Sequence, residues 1–175
     1  MSETGLVIGI DPGKSGAIVA LDMWGRPVEW MAADHPDEGY TVKGKGPREY
    51  VPQVMSLWLR DRLDVKLVII EAQRAMPMEG RSSVLTTGYG WGLWVGLCAG
   101  LGIPYRVVPP QTWMRAVIGA RPAKGEKKAR SIIEAGARVP ALPLTWGRKT
   151  KPHDGLADAA LMAVYALQQL RGEHL

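Results

Sequence analysis

Residues 6–21 read LVIGIDPGKSGAIVAL, two apolar runs joined by a short turn that begins with a carboxylate. Continuous β-branched and leucine residues bounded by turn signals are typical of buried strands, and Pro12-Gly13 and Ser15-Gly16 supply the turn. The stretch therefore predicts a β-hairpin with Asp11 at the mouth of its first strand. A carboxylate there is costly to desolvate unless something positive meets it, although Asp is also a common residue at the start of an ordinary turn.

Composition narrows the class of protein. The chain has 175 residues, 46% of them hydrophobic and 22% charged, which predicts one globular domain over residues 1–175. The formal net charge of +5 is compatible with a polyanionic partner. The single cysteine, Cys98, excludes an internal disulfide and a cysteine-based zinc site. Because no apolar run is long enough to span a membrane and residues 2–4 lack a basic signal-peptide start, we expect a cytoplasmic protein.

Further strands and helices follow the hairpin. The pattern predicts a third strand at 26–31, a polar loop at 33–47, a helix at 48–63, a strand at 66–71, a long apolar helix at 83–102, a strand at 105–108, and helices at 112–118, 127–137 and 154–170. Meandering strands followed by alternating strands and helices predict an α/β fold, with one five-stranded mixed sheet and helices on both faces.

Four carboxylates stand at strand ends and at a helix start. Asp11 and Glu71 each close an apolar strand, and Asp154 and Asp158 are four residues apart, so they share one face of the last helix. Ligands of open α/β sheets gather at strand ends, and oxygen-only donors suit Mg²⁺ or Mn²⁺. A pair of such ions activates water and stabilises the leaving oxygen in phosphodiester cleavage. The helix dipole alone also favours acids in a first turn, so that simpler explanation of Asp154 and Asp158 stays open.

Three segments resemble the RuvC family of Holliday junction resolvases, within the RNase H-like nucleases. They are IGIDPG at 8–13, VIIE at 68–71 and HDGLADAALMA at 153–163. The resemblance is closer to the phage and organelle branch. It implies an RNase H-like fold, cleavage of branched DNA with two Mg²⁺ or Mn²⁺ ions, paired nicks, a homodimer, and a DNA-associated place in the nucleoid or a phage origin. It also makes Asp11, Glu71 and Asp158 catalytic metal ligands.

The fourth ligand departs from the family pattern. Bacterial members carry an acid or a histidine three residues before the last acid, and that position here is Gly155. Asp154, four residues before Asp158, is the natural substitute that the resemblance implies. His153 is the competing candidate for the same role.

Six basic residues are candidates for DNA binding. Lysines cluster at the start of the predicted helix 127–137, where backbone N–H groups also favour phosphate, and two arginines follow Glu71 closely. The candidates are Arg74, Arg81, Arg115, Lys124, Lys127 and Lys128. The alternative is a solvated basic surface, since exposed lysine is ordinary.

The helix at 83–102 predicts a homodimer interface. It carries more apolar side chains than one face against a sheet can bury, and an exposed apolar patch usually marks a contact. Gly88, Gly92 and Gly96 recur every four residues, so they line one face that a partner could approach closely. Two equivalent strands in a junction call for two sites related by a two-fold axis. The competing explanation is that the rest of the domain wraps this helix.

Two other functions remain open on the sequence alone. An actin-like or sugar-kinase-like ATPase fragment also opens with a strand, an Asp and a Gly-rich turn, but it needs a second such domain and a nucleotide. A non-catalytic junction-binding module of the same fold would not need its acids. Ion binding without nucleotide separates a metal nuclease from the kinase-like alternative.

Overall fold

The computed structural model describes residues 4–46, 48–62, 64–74, 80–119, 125–147 and 150–172. Its elements, in chain order, are β1 Leu6–Asp11, β2 Ala17–Asp22, β3 Pro27–Ala32, β4 Thr41–Val42, β5 Glu49–Tyr50, α1 Pro52–Arg60, β6 Val65–Glu71, α2 Arg81–Gly100, β7 Tyr105–Val108, α3 Pro110–Ile118, α4 Lys127–Arg138 and α5 Asp154–Arg171.

The main sheet has five strands in the order β3-β2-β1-β6-β7. β1 pairs antiparallel with β2 and parallel with β6, so the sheet is mixed. β7 continues the parallel half beside β6. This confirms the predicted α/β fold with a five-stranded mixed sheet.

The segment between β3 and α1 differs from its prediction. Thr41–Val42 pairs with Glu49–Tyr50 in a small antiparallel ribbon, where the sequence indicated only a loop and the start of a helix. Two-residue strands are too short to show an alternating pattern. Helix α1 therefore starts at Pro52 rather than at residue 48, because proline suits the first turn of a helix, where its missing N–H costs nothing.

The sheet separates two hydrophobic layers. Alternate residues of a strand point to opposite faces, so Val7 and Ile69 pack on one side with α3, α4 and α5. Ile8 and Ile70 pack on the other side with α1 and α2. Helices therefore cover both faces, as predicted.

Helix α5 lies unusually close to the central strand β1. A Cβ atom placed on Gly9 would stand 2.0 Å from the Ala159 carbonyl oxygen and 2.5 Å from the Ala163 nitrogen. Only glycine permits this approach of two backbones. The close packing brings the start of α5 to the end of β1, where the site residues lie.

No helix in the described ranges is both long and apolar enough to cross a bilayer.

Candidate active site

The ends of β1 and β6 bring two acids to the same face of the sheet. Ile10 pairs with Ile70 in the parallel register, and Asp11 and Glu71 are the next residues of their strands. Both follow side chains of the α1–α2 layer, so the alternation directs both toward the α3–α5 layer. The sequence pattern that ends two neighbouring strands in acids therefore produces a carboxylate pair at one sheet edge.

The turn after Asp11 is fixed by hydrogen bonds from two buried tyrosines. The Tyr40 hydroxyl donates to the carbonyl oxygens of Asp11 and Gly13 at 3.2 and 3.1 Å. The Tyr50 hydroxyl donates to the Pro12 carbonyl at 3.1 Å. The Gly13 N–H in turn donates to the Asp11 carboxylate at 3.2 Å. The Asp11 side chain is therefore held on a rigid turn rather than on a free loop.

The first turn of α5 packs directly against this turn. A Cβ atom on Gly155 would stand 2.4 Å from the Ser15 carbonyl oxygen and 3.1 Å from Asp11 Oδ2. A side chain at position 155 cannot fit unless the two segments separate. Gly155 thus lets α5 approach, and it places the helix start beside the Asp11 carboxylate.

Burial and neighbouring acids together shift the ionisation of Asp11, Glu71 and Asp158. Burial raises the pKa of Asp11 to about 7, and the neighbouring charges of Glu71 and Asp158 add to the rise. Burial also raises the pKa of Glu71 and of Asp158, and each rise includes repulsion from a neighbouring acid, Asp158 for the first and Asp154 for the second. Three acids from β1, β6 and α5 therefore form one electrostatically coupled group, which we call the carboxylate cluster.

Two side chains hold the Glu71 carboxylate. Trp113 Nε1 of α3 donates to Glu71 Oε1 at 3.2 Å in a buried contact, and Gln73 Nε2 donates to Oε2 at 3.4 Å. Both hydrogen bonds favour the ionised form and oppose the rise in its pKa. They fix the orientation of a side chain that is only 9% exposed.

Asp158 faces helix α4. Lys127 Nζ lies 3.7 Å from Asp158 Oδ2. The Ser131 hydroxyl, one helical turn further along α4, is close enough to lower the pKa of Asp158. It does not form a hydrogen bond of ordinary geometry with the carboxylate. The other oxygen, Oδ1, is buried and finds no hydrogen-bond partner among the described residues. A buried carboxylate oxygen without a partner is costly, so this carboxylate has acceptor capacity that the nearby Ser131 hydroxyl or a bound cation would satisfy.

Asp154 lies at the edge of the carboxylate cluster. Its Oδ2 pairs with Lys128 Nζ at 2.5 Å, and the lysine side chain is 78% exposed. Burial acts to raise the pKa of Asp154, but the contact with Lys128 outweighs it and lowers the pKa. Asp154 also raises the pKa of Asp158. It is therefore a neighbour of Asp158 on the helix face and is turned toward Lys128.

His153 is engaged elsewhere. It caps α5, where its Nδ1 accepts the Leu156 N–H at 3.0 Å. Its Nε2 lies 3.1 Å from Asp34 Oδ1. Because Nδ1 accepts a hydrogen bond, the neutral ring carries its proton on Nε2 and donates it to Asp34. Both ring nitrogens are occupied within the protein, as Asp154 Oδ2 is by Lys128.

The donor set fits a hard divalent cation, although it is open. The carboxylate cluster offers only oxygen atoms, which Mg²⁺ and Mn²⁺ prefer. Among the described residues no three His, Cys, Asp or Glu side chains already stand close enough together to enclose an ion. The Lys127 ammonium faces the same group and lowers the pKa of each of its three acids.

The candidate DNA-binding residues fall into two groups. Arg74, Arg81 and Arg115 are exposed. Lys127 and Lys128 form ion pairs with Asp158 and Asp154. Lys124 lies outside the described residues.

Two functional side chains escape sequence reasoning. In the sequence Trp113 looks like an ordinary core aromatic of a short helix, and no spacing pattern indicates that its indole N–H has a carboxylate partner. Ser131 lies in the polar, basic start of α4, yet it is fully buried beside Asp158. The spacing of Lys127 and Ser131, four residues apart on one helix face, is a usable signal only once α4 is known to pack on α5.

Known proteins resemble this chain in structure but not detectably in sequence. No protein-family model and no curated protein matches the chain. The structure is similar to Thermus thermophilus RuvC in complex with a Holliday junction substrate, at 16% identity, with 97% of each chain covered and a TM-score of 0.62. It is also similar to a second Thermus thermophilus RuvC structure, at 17% identity, with 95% of this chain and 96% of that one covered and a TM-score of 0.57. The chain therefore has a RuvC-like, RNase H-like fold.

Proposed function

We propose that this chain is a divalent-metal-dependent endonuclease that cuts branched DNA, with the four-way Holliday junction as its substrate. The observation that carries the proposal is the carboxylate cluster, in which acids from three separate elements meet, burial raises the pKa of each, and Glu71 and Asp158 add to the rise at Asp11. Such a group costs stability, and perturbed carboxyls in one place favour a functional site. One structurally similar protein was solved with a Holliday junction, which points to the same class of substrate.

Asp11, Glu71 and Asp158 are the proposed catalytic metal ligands, with Asp154 as the fourth. Two Mg²⁺ or Mn²⁺ ions bound there would activate the attacking water and stabilise the leaving oxygen. The chain's own residues fix the ligands. The Gly13 N–H holds Asp11, Trp113 and Gln73 hold Glu71, and Ser131 and Lys127 lie beside Asp158.

DNA contacts are proposed for the basic residues. Arg74, Arg81 and Arg115 are exposed and suited to phosphate, and Lys124, Lys127 and Lys128 complete the proposed set. Arg74→Ala combined with Arg115→Ala should weaken junction binding. It should also flatten the salt dependence by about 0.9 in log K against log[salt] for each phosphate that is no longer neutralised. An unchanged slope would leave these arginines as solvated surface.

A homodimer through α2 completes the proposal. The helix buries Gly90 against the Tyr50 ring and buries Trp94 and Cys98 in the α1–α2 layer. On the other side, Leu85 is 75% exposed and Tyr89 is 54% exposed. The exposed glycines between and beyond them would accept a Cβ atom without a neighbour within 4 Å, and they are Gly88, Gly92, Gly96 and Gly100. A second copy packed on this face would bury the exposed apolar side chains and place two sites on one junction.

The test compares DNA shapes and matched variants. The protein is incubated with Mg²⁺ and with end-labelled four-way, three-way, flap and linear DNA, and the nicks are mapped. Asp158→Asn should abolish cleavage and retain junction binding, because the amide keeps the shape but loses the charge. Asp61→Asn, which changes an exposed acid of a surface pair, is the control and should cut like the parent. A parent that cuts none of the four substrates, or an Asp158→Asn variant that cuts normally, would refute the proposal.

A further inference from the structure

We propose that Lys127 is the built-in counterion of the carboxylate cluster, and that divalent ions bind only by displacing its ammonium group. This inference rests on the proposed function, because it assigns a role to a residue beside the proposed metal ligands. The counterion role of Lys127 differs from DNA binding, because it concerns the DNA-free protein.

The geometry places one ammonium group toward the cluster. Helix α4 begins at Lys127 and packs on α5. Lys127 Nζ stands 3.7 Å from Asp158 Oδ2, which is ion-pair distance, and Ser131 follows on the same face of the helix. The Lys127 side chain is 45% exposed, so it has an open path away from the acids.

The charge pattern singles out Lys127 among its neighbours. It lowers the pKa of Asp11, of Glu71 and of Asp158, so its charge is felt by all three members. Lys128 is the next residue, but its contact is with Asp154 at the edge of the group, and Asp158 and Asp11 act on it more weakly than Asp154 does. Arg130 carries the same charge on the same helix and is exposed. Its removal therefore controls for the loss of one positive charge from the protein.

The ammonium and a divalent ion compete for the same carboxylate, that of Asp158. Asp158 directs Oδ2 toward Lys127, and its Oδ1 has no partner in the part of the chain that the structure describes. The ion pair of the ammonium is with Asp158, and no three acidic or imidazole side chains of the described chain stand at metal-binding spacing. Removing the ammonium should therefore strengthen ion binding, because the oxygens are then left without their internal partner.

The test measures Mn²⁺ binding by calorimetry without DNA. The samples are the parent, Lys127→Met, Lys127→Arg and Arg130→Met, all at the same low ionic strength. Lys127→Met removes the charge and keeps the length of the side chain, and it should bind Mn²⁺ about tenfold more tightly than the parent. Lys127→Arg and Arg130→Met should stay within about twofold of the parent, since neither removes the local charge.

The outcomes separate this inference from the proposed function. Equal Mn²⁺ affinity in the parent and Lys127→Met, or equal strengthening in Lys127→Met and Arg130→Met, overturns the counterion role and leaves the nuclease proposal standing. Absence of Mn²⁺ binding in all four proteins overturns both.

Thermal unfolding in EDTA provides a second readout. Lys127→Met should melt below the parent there, because three acids lose their counterion, and Mn²⁺ should raise its melting temperature more than that of the parent. If Lys127→Met does not fold in EDTA, Lys127→Gln replaces it in both measurements. A melting temperature equal to that of the parent in EDTA would contradict the inference.

Discussion

The change Asp11→Asn should stabilise the metal-free protein at alkaline pH. The pKa of Asp11 is about 7 in the folded chain against an ordinary value of 3.8. A carboxyl with a raised pKa keeps its proton in the folded state after the unfolded chain has lost it. The stability of the parent therefore falls as the pH rises from about 4 to about 7, and the full penalty is present above pH 7.

The size of the effect follows from that shift. Each pKa unit corresponds to about 1.4 kcal/mol, so a rise of about three units gives a ceiling of roughly 4 kcal/mol. Glu71 and Asp158 share the repulsion and relax together with Asp11, so we expect an advantage of roughly 2–4 kcal/mol for the variant at pH 8. Asn can still accept the Gly13 N–H that Asp11 accepts, so the turn keeps its hydrogen bond.

Urea unfolding in EDTA at pH 4.5, 6 and 8, followed by circular dichroism, measures this difference. The advantage of Asp11→Asn should be greatest at pH 8 and should fall to about a quarter of that value at pH 4.5, where the unfolded chain has largely lost the Asp11 proton and the folded chain still keeps it. Asp61→Asn is the matched control because Asp61 is 63% exposed and makes only a surface pair. It should change stability by less than about 0.5 kcal/mol at every pH. A variant that is less stable than the parent at pH 8, or an advantage that does not depend on pH, would refute the electrostatic account of the cluster.

Three further changes test the framework around the site. Gly9→Ala places a Cβ atom 2.0 Å from a carbonyl oxygen of α5, so urea unfolding should show a loss of about 3 kcal/mol in the free energy of unfolding. The control Gly136→Ala, in open space on α4, should raise that free energy by about 0.5–1 kcal/mol. Equal effects of the two changes would contradict the close packing. Trp113→Phe leaves Glu71 without its buried donor and should cost about 1–3 kcal/mol. It should also raise the pKa of Glu71, so the acid limb of the pH–rate profile should move to higher pH; an unmoved limb would separate Glu71 from the reaction. Leu85→Glu puts a charge on the exposed face of α2 and should sediment as one chain where the parent sediments as two; a parent of one chain mass at micromolar concentration would refute the dimer.

Much of the fold could be predicted from local patterns. The apolar runs that end in Asp11 and Glu71 predict two buried strands that each close on an acid, whereas the common layer of the two acids depends on the pairing of β1 with β6. The apolar stripe of α5 and the acid at its start were also visible in the sequence. These features depend on spacing within single elements, which the sequence records directly.

The partners of the acids could not be predicted in the same way. Trp113 contacts Glu71 across 42 residues of sequence, and that contact depends on how α3 packs beneath the sheet. His153 was a ligand candidate by its position, but its contact with Asp34 depends on the loop after β3. Contacts between distant elements follow from packing angles, and no local spacing encodes those angles.

The most direct test of the central claim is the cleavage of a supercoiled plasmid that extrudes a cruciform. We predict that the parent protein with Mg²⁺ converts it to linear DNA through paired nicks at the cruciform base, that a plasmid without the cruciform stays supercoiled, and that EDTA or Glu71→Gln stops the reaction while junction binding persists. Equal cutting of both plasmids, or linear product from Glu71→Gln at the rate of the parent, would contradict the account.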